Sequence, residues 1–218
     1  MIVVALHPVA SYDRHMTSDK PETGNALTAE RILDAARDQV RRFGEAKTNV
    51  VDIARALGTS HATIYRYFRS KADVFSAIAA STMRDEEELA RTFVDAPGPA
   101  SERLTGLVLA LHRRKLERFG KDPELYHLYR RVIDDRPDLV RNYTDAMTRL
   151  LAAILRDGVL QGEYRIDDVD AASEVVRDAV TVFIYPAHVE AAAKAGRSME
   201  QAIMRMTATL TVAFRSGV

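Results

Sequence analysis

Cysteine is absent from the 218 residues. This removes disulfide frameworks, thiolate nucleophiles and Cys-based zinc or iron-sulfur sites, and it fits a reducing cytoplasm. Glycine and proline are sparse, at 10 and 7 residues, so the chain is neither collagen-like nor of low complexity. Neither sign of charge is in excess: 31 Lys and Arg meet 31 Asp and Glu, which excludes a uniformly basic nucleic-acid coat and an acidic disordered tail. Long apolar runs are missing too. The start Met1 to Leu6 has six residues, lacks a basic leader and runs into His7 and Pro8, too short for a signal peptide or a membrane span. What is there, 47% hydrophobic and 28% charged, is an ordinary globular composition, long enough for one domain or two small ones with real cores.

The zero balance hides an uneven distribution. Residues 28–71 carry nine basic against five acidic side chains, residues 72–98 two against six, and residues 99–218 eighteen against seventeen. A short basic module is followed by an acidic connection and a neutral body, an asymmetry that points to a local nucleic-acid surface, although short windows fluctuate this much by chance.

Residues 1–27 show no periodicity and are rich in Ser, Thr, Asp, Pro, Gly and Asn, the composition of a flexible arm, with Met16 as the expected start. From Thr28 the pattern becomes helical. Thr28 is a candidate N-cap, Ile32, Leu33, Ala36, Val40 and Phe43 follow helical spacing, and Gly44 stops the run. Asn49 caps a second, short helix with Val50, Ile53, Ala54 and Leu57 inward, ended by Gly58. Ser60 caps a third over His61 to Phe68, and a fourth is predicted from about Lys71 to Val94. After the linker Asp95-Ala96-Pro97-Gly98-Pro99 only helical patterns follow, opened by Ser101, Pro123, Pro137, Val169 and Ser198, with an interruption near Pro186. No segment argues for a strand, and the fold class is all-α: an N-terminal three-helix module (28–71) joined by a long helix to a C-terminal helical body (72–218).

Two short helices around a Gly58-Thr59-Ser60 turn fit a helix-turn-helix, whose second helix enters the DNA major groove. With Ile64 and Phe68 inward, about 100° per residue places Ala62, Thr63, Arg66 and Tyr67 on the open face, Tyr65 at its border and His61 at the leading end. A small apolar contact, hydroxyls and a cation suit a thymine methyl, base edges and phosphates.

These residues resemble the tetracycline-repressor (TetR) family of transcriptional regulators. The match runs through Arg31-Ile-Leu-Asp-Ala-Ala36, Phe43-Gly44, Val50-Val-Asp-Ile-Ala54, Ala56-Leu-Gly58 and Thr63-Ile-Tyr-Arg-Tyr-Phe68 with Ser70-Lys71, covering roughly Leu27 to Ile78. The resemblance implies that His61, Ala62, Thr63 and Tyr65 face bases or the groove edge, joined by Arg66 from the open face. It also implies that Asn49, Tyr65, Tyr67 and Lys71 hold phosphate, in keeping with helix N-termini, tyrosine hydroxyls and lysine as phosphate ligands. Many members have Gly where Ala62 stands and Thr or Ser where Asn49 stands, which leaves the operator sequence open. Ordinary packing is the competing role for the tyrosines.

A module this small needs a second copy, because dimers of such modules bind half-sites about 34 to 36 Å apart. The candidate dimer stripes are Val175, Ala179, Val182 and Phe183 on one late helix and Ile203, Met206, Leu210 and Phe214 on the last, able to form a four-helix bundle about a twofold axis. Completing each chain's own core is the alternative. A candidate effector pocket is bounded by Leu107, Leu111, His112, Phe119, Tyr126, Tyr129, Ile133, Tyr143, Met147 and Leu150, apolar with Tyr and His as handles. Family members commonly release DNA when a small molecule enters such a cavity. The sequence thus reads as a homodimeric repressor of a pseudo-palindromic double-stranded operator, released by a small-molecule effector, with no membrane partner. A helical binding protein whose helix-turn-helix no longer reads DNA is the alternative.

Enzymatic motifs are missing. There is no phosphate-binding glycine loop, His-Glu-x-x-His box or nucleophile elbow, and nothing calls for a cofactor or a metal. The run Asp85-Glu86-Glu87-Glu88 fans around a helix and reads as a solvated face. Asp134-Asp135 and Asp167-Asp168 read as helix-end residues.

Overall fold

The computed structural model describes residues 27–217; the expected arm and start site lie, apart from Leu27, outside the described residues. Ten helices and no strand are found among them: α1 (Ala29–Lys47), α2 (Val50–Ala56), α3 (His61–Tyr65), α4 (Lys71–Val94), α5 (Ala100–Lys121), α6 (Pro123–Asp135), α7 (Pro137–Leu160), α8 (Val169–Ile184), α9 (Pro186–Lys194) and α10 (Glu200–Ser216). None of the described helices is long and apolar enough to cross a membrane.

Local chemistry sets most boundaries. The Thr28 side chain accepts from the Arg31 amide, Ser60 from Thr63, Ser70 from Asp73 and Asp168 from Ala171, each satisfying an amide that a helix start leaves free. Pro123, Pro137 and Pro186 occupy first-turn positions, where a missing N–H costs nothing. Gly44 breaks α1 at φ 72° and Gly58 ends the α2 region at φ 64°, left-handed conformations that favour glycine. Two boundaries depart from the sequence reading. Asn49 is the N-cap residue of α2, but its side chain makes no capping bond. The third helix ends at Tyr65, and the Tyr67 and Phe68 amides close turn bonds onto the Ile64 carbonyl.

The helices enclose two apolar cores. The first joins Ile32, Ala36 and Val40 of α1, Ile53 of α2, Ile64 of α3 and Val74, Phe75 and Ile78 of α4. It extends into the body, because Met83 of α4 and Leu128, Tyr129 and Val132 of α6 belong to it. The second packs Leu104, Leu107, Val108 and Leu111 of α5 against α7, α8 and α10. Helix α4 passes from the first core to Ala90 in the second. Helix α6 is clamped to α1 by the Arg131 pair with Glu45, and the loop before it by Arg41 Nε donating to Asp122 at 3.0 Å.

One charged side chain is placed against expectation. Glu86, read as part of a solvated acidic face, is fully buried. Consecutive positions on a helix point in different directions, and position 86 shares the inward stripe of Ala79, Met83 and Ala90. Its carboxylate is met bidentately by Lys115 Nζ at 2.8 Å to each oxygen, by Arg118 at 2.8 Å and by the Tyr143 hydroxyl at 2.7 Å. Asp85 beside it is exposed and reaches Arg118 and Arg114. Asp134 accepts from the Tyr185 hydroxyl and Asp135 pairs with Arg131.

Candidate nucleic-acid interface and ligand cleft

Helix α3 is held by one buried side chain, Ile64, and turns the rest outward. His61, Ala62, Tyr65, Arg66 and Tyr67 are exposed and Thr63 is half-buried. The Thr63 and Ser60 hydroxyls share a 2.9 Å hydrogen bond at the helix start, and the His61 and Tyr65 rings stand edge to face, 6.2 Å apart. An exposed surface of imidazole, methyl, phenol and guanidinium offers donors, acceptors and an apolar contact without first breaking any buried packing.

Three of the four expected phosphate residues, Asn49, Tyr65 and Lys71, line one shallow depression together with Val51 and Asp52. The missing cap bond leaves the Asn49 amide available there. Lys71 Nζ donates to the Glu45 carbonyl at 3.1 Å and sits 5.2 Å over the Phe75 ring, which fixes the ammonium while leaving further N–H groups for an anion. Tyr67 is placed differently: its hydroxyl donates to the Leu27 carbonyl at 2.7 Å, so it must exchange that bond to reach a phosphate. Exposed Arg42, Lys47 and Arg69, which the sequence reading did not single out, have no ion pair among the described residues.

The expected dimer stripes are only partly on the surface. Phe183, Ile203 and Phe214 are buried in the chain's own core and offer nothing to a second copy. Ala179, Met206 and Leu210 are half-buried. Val175 and Val182 of α8 are exposed as expected, and they are joined by Met204 and Val212 of α10, the outward face of a helix whose other apolar stripe faces in. These four exposed apolar residues lie on α8 and α10, two helices in contact with each other.

The expected pocket divides in the same way. An apolar cleft of about 260 Å³ opens between α4, α6, α7 and α8, and Tyr129, Ile133, Tyr143 and Met147 line it. Leu107, Leu111 and His112 do not line it: they are buried, and His112 Nδ1 is bonded to the Phe183 carbonyl at 2.8 Å. Phe119 packs edgewise on Tyr126, whose hydroxyl donates to the Pro186 carbonyl, and Leu150 packs against the second core. Tyr126 and Tyr129 border a second, polar cavity of about 420 Å³ between α1, α4, α5 and α6. Met83, Lys115, Arg177 and Tyr185 also line the cleft, with Val140, Thr144, Asp178, Thr181, Ile184 and Pro186, and were missed. Lys115 had a legible signal, since it continues the apolar stripe Leu104, Val108 and Leu111.

Burial alone would raise the Glu86 carboxyl, yet Lys115, Arg118 and the Tyr143 hydroxyl together hold it below the ordinary carboxylate value. Burial and the Glu86 charge push the Tyr129 and Tyr143 phenols well up, so both are neutral donors. No group of three or more His, Asp or Glu able to hold a metal is found among the described residues.

Two family descriptions match the chain: "Bacterial regulatory proteins, tetR family" over residues 32–78 and "Tetracyclin repressor-like, C-terminal domain" over residues 100–207. An uncharacterized HTH-type transcriptional regulator of Mycobacterium tuberculosis is 35% identical over 86 residues, 39% of this chain and only 43% of that protein's length. The HTH-type transcriptional repressor KstR2 of Mycolicibacterium smegmatis is 25% identical over 172 residues, 78% of this chain and 83% of KstR2. Among solved structures, the transcriptional regulator FadR from Bacillus subtilis in complex with stearoyl-CoA has the same fold, with a TM-score of 0.58 at 19% identity, covering 88% of this chain and all of that one. Matched at both its N-terminal module and its helical body, the chain belongs to the tetR family of bacterial regulatory proteins.

Proposed function

We propose that the protein is a homodimeric, ligand-responsive transcriptional repressor. Residues 28–71 read a double-stranded operator, and residues 72–218 dimerise and bind a small-molecule effector. The observation that carries this reading is the depression where Asn49, Tyr65 and Lys71 converge beside the open face of α3. His61, Ala62, Thr63, Tyr65 and Arg66 address base edges or the groove. Asn49, Tyr65 and Lys71 hold phosphate, and Tyr67 joins them on releasing Leu27. Phosphate contacts set the register and base contacts the sequence. A repressor acting on the chromosome works in the cytoplasm.

The second copy docks on the surface formed by Val175, Val182, Met204 and Val212, which sets the spacing of the two α3 helices against successive major grooves. Coupling to the effector is supported by shared residues. Met83 and Tyr129 line the apolar cleft and also belong to the first core with α1, α2 and α3, so filling the cleft bears on the packing that orients α3. A coupling of about 1 to 3 kcal/mol changes operator affinity roughly 5- to 150-fold.

The test is the affinity for its own promoter DNA as a function of salt, for the protein and for a Lys71→Ala, Tyr65→Phe variant. The reading expects a steep salt dependence that the variant flattens by about one unit of slope. A helical binding protein without DNA recognition would show no salt-dependent binding.

A further inference from the structure

The two cavities of the body meet at one side chain. Tyr129 of α6 lines the apolar cleft of about 260 Å³ and also the polar cavity of about 420 Å³, and no other described residue borders both. It is only 6% exposed and is held from two sides. The Lys115 ammonium stands 5.2 Å from the centre of its ring and is itself tied to Glu86 by two 2.8 Å bonds, while its neighbours Leu128 and Val132 are buried in the first core. The spaces on either side of the ring differ in chemistry. Four arginines and four carboxylates, among them Arg84 and Glu88, line the polar cavity, whereas Met83, Ile133, Val140, Met147 and Ile184 give the cleft its apolar wall. The charges that border the cleft are matched within the protein, Lys115 by Glu86 and Arg177 by Asp178, each at 2.8 Å. The Thr144 and Thr181 hydroxyls there can each donate or accept. A charged ligand would thus meet no free counter-charge and would bear a desolvation cost that an uncharged one avoids.

Taking the cleft as the effector site proposed above, we infer that Tyr129 sets the size limit of the effector: its ring closes the cleft where the polar cavity begins and confines the ligand to a compact, uncharged, mainly apolar molecule. At about 30 Å³ per water-sized group, the volume of about 260 Å³ holds about eight carbons. Each methylene that enters should tighten binding about fourfold. Beyond the limit a longer chain meets the ring, and its extra methylenes remain in water and add nothing. The limit therefore shows as a break in the dependence of affinity on chain length, and removing the ring moves that break to longer chains.

Calorimetric titration of the full chain with 1-hexanol, 1-octanol, 1-decanol and octanoate tests the inference. In the wild type 1-octanol should bind more than tenfold more tightly than 1-hexanol, 1-decanol no more tightly than 1-octanol, and octanoate no more tightly than 1-octanol. Tyr129→Phe keeps the ring and should keep the break. Tyr129→Ala should restore a gain of about tenfold or more from 1-octanol to 1-decanol, whereas a purely structural role for the ring would weaken all three alcohols alike. If Tyr129→Ala does not fold, Ile133→Phe at the half-buried cleft wall gives the converse, a loss of about tenfold in 1-octanol relative to 1-hexanol. Affinity that rises evenly through 1-decanol in the wild type, an unmoved break in Tyr129→Ala, unchanged alcohol binding in Ile133→Phe, or tighter binding of octanoate than of 1-octanol would overturn it. Promoter-DNA affinity read on the same preparation separates the two readings. DNA binding without a break in the alcohol series removes this inference and keeps the repressor, whereas a break without DNA binding keeps the role of Tyr129 and removes the repressor.

Discussion

The α2–α3 surface and the cleft between α4, α6, α7 and α8 use charge in opposite ways. On α3 and around it the polar groups are exposed, and one apolar side chain, Ile64, holds the helix down. In the cleft the walls are apolar, and the charges lie beneath them in a closed arrangement of Glu86, Lys115, Arg118 and Tyr143. A surface that meets DNA can leave donors in water until phosphate arrives. A cleft that meets a small molecule must have its charges compensated before the ligand comes. Changes on the first surface should therefore alter binding and spare folding, and changes beneath the cleft should do the reverse.

The largest effect expected is from Lys115→Met, which strands Glu86 with fewer partners. Breaking a buried pair from one side costs about 3 to 5 kcal/mol, at the lower end here because Arg118 and Tyr143 remain. Denaturant unfolding checks this, and adding Glu86→Gln should restore much of the loss. Because the folded Glu86 carboxyl is held below its ordinary value, its contribution is fully present above that value and lost as pH falls through the folded one. Acid titration of stability should thus show a loss in the wild type that Glu86→Gln, Lys115→Met lacks. Next in size is Val182→Asp with Val212→Asp on the exposed apolar surface. Folding should change by less than about 1 kcal/mol, while sedimentation shows monomers and operator affinity falls about a hundredfold or more as bivalent contact is lost. Gly58→Ala forces alanine into a left-handed conformation and should cost about 1 to 2 kcal/mol by thermal unfolding, although a Cβ there meets nothing within 4 Å. The smallest effect is from Lys71→Ala, which should leave unfolding near wild type and lower the salt slope of DNA binding by about one.

The same contrast explains what could be read in the sequence. Caps and stops such as Thr28, Gly44, Gly58 and Ser60 act within four residues, so the helices of the first module were visible in order. The exposure of α3 followed from two inward positions, Ile64 and Phe68. Glu86 was misread because it sits among four consecutive acidic residues, although it and Lys115 each interrupt an apolar stripe at helical spacing. Their partnership joins α4 to α5 and is a property of packing. The last helix carries two apolar stripes, Ile203 with Phe214 and Met204 with Val212; spacing alone does not say which faces inward, and the inward one was taken for the outer. Similarly, the pocket residues on α6 and α7 were legible as apolar positions with polar tips, whereas Arg177 and Tyr185 enter the cleft only through the docking of α8.

The central claim is that two copies of the α2–α3 surface read DNA together. Footprinting of the sites bound across the genome, with the purified full chain, tests it most directly. The account predicts protected pseudo-palindromes with half-sites centred about 34 to 36 Å apart or a multiple of that, lost in the Val182→Asp, Val212→Asp variant. Absence of protected sites, or protection of single half-sites unchanged in that variant, would contradict it.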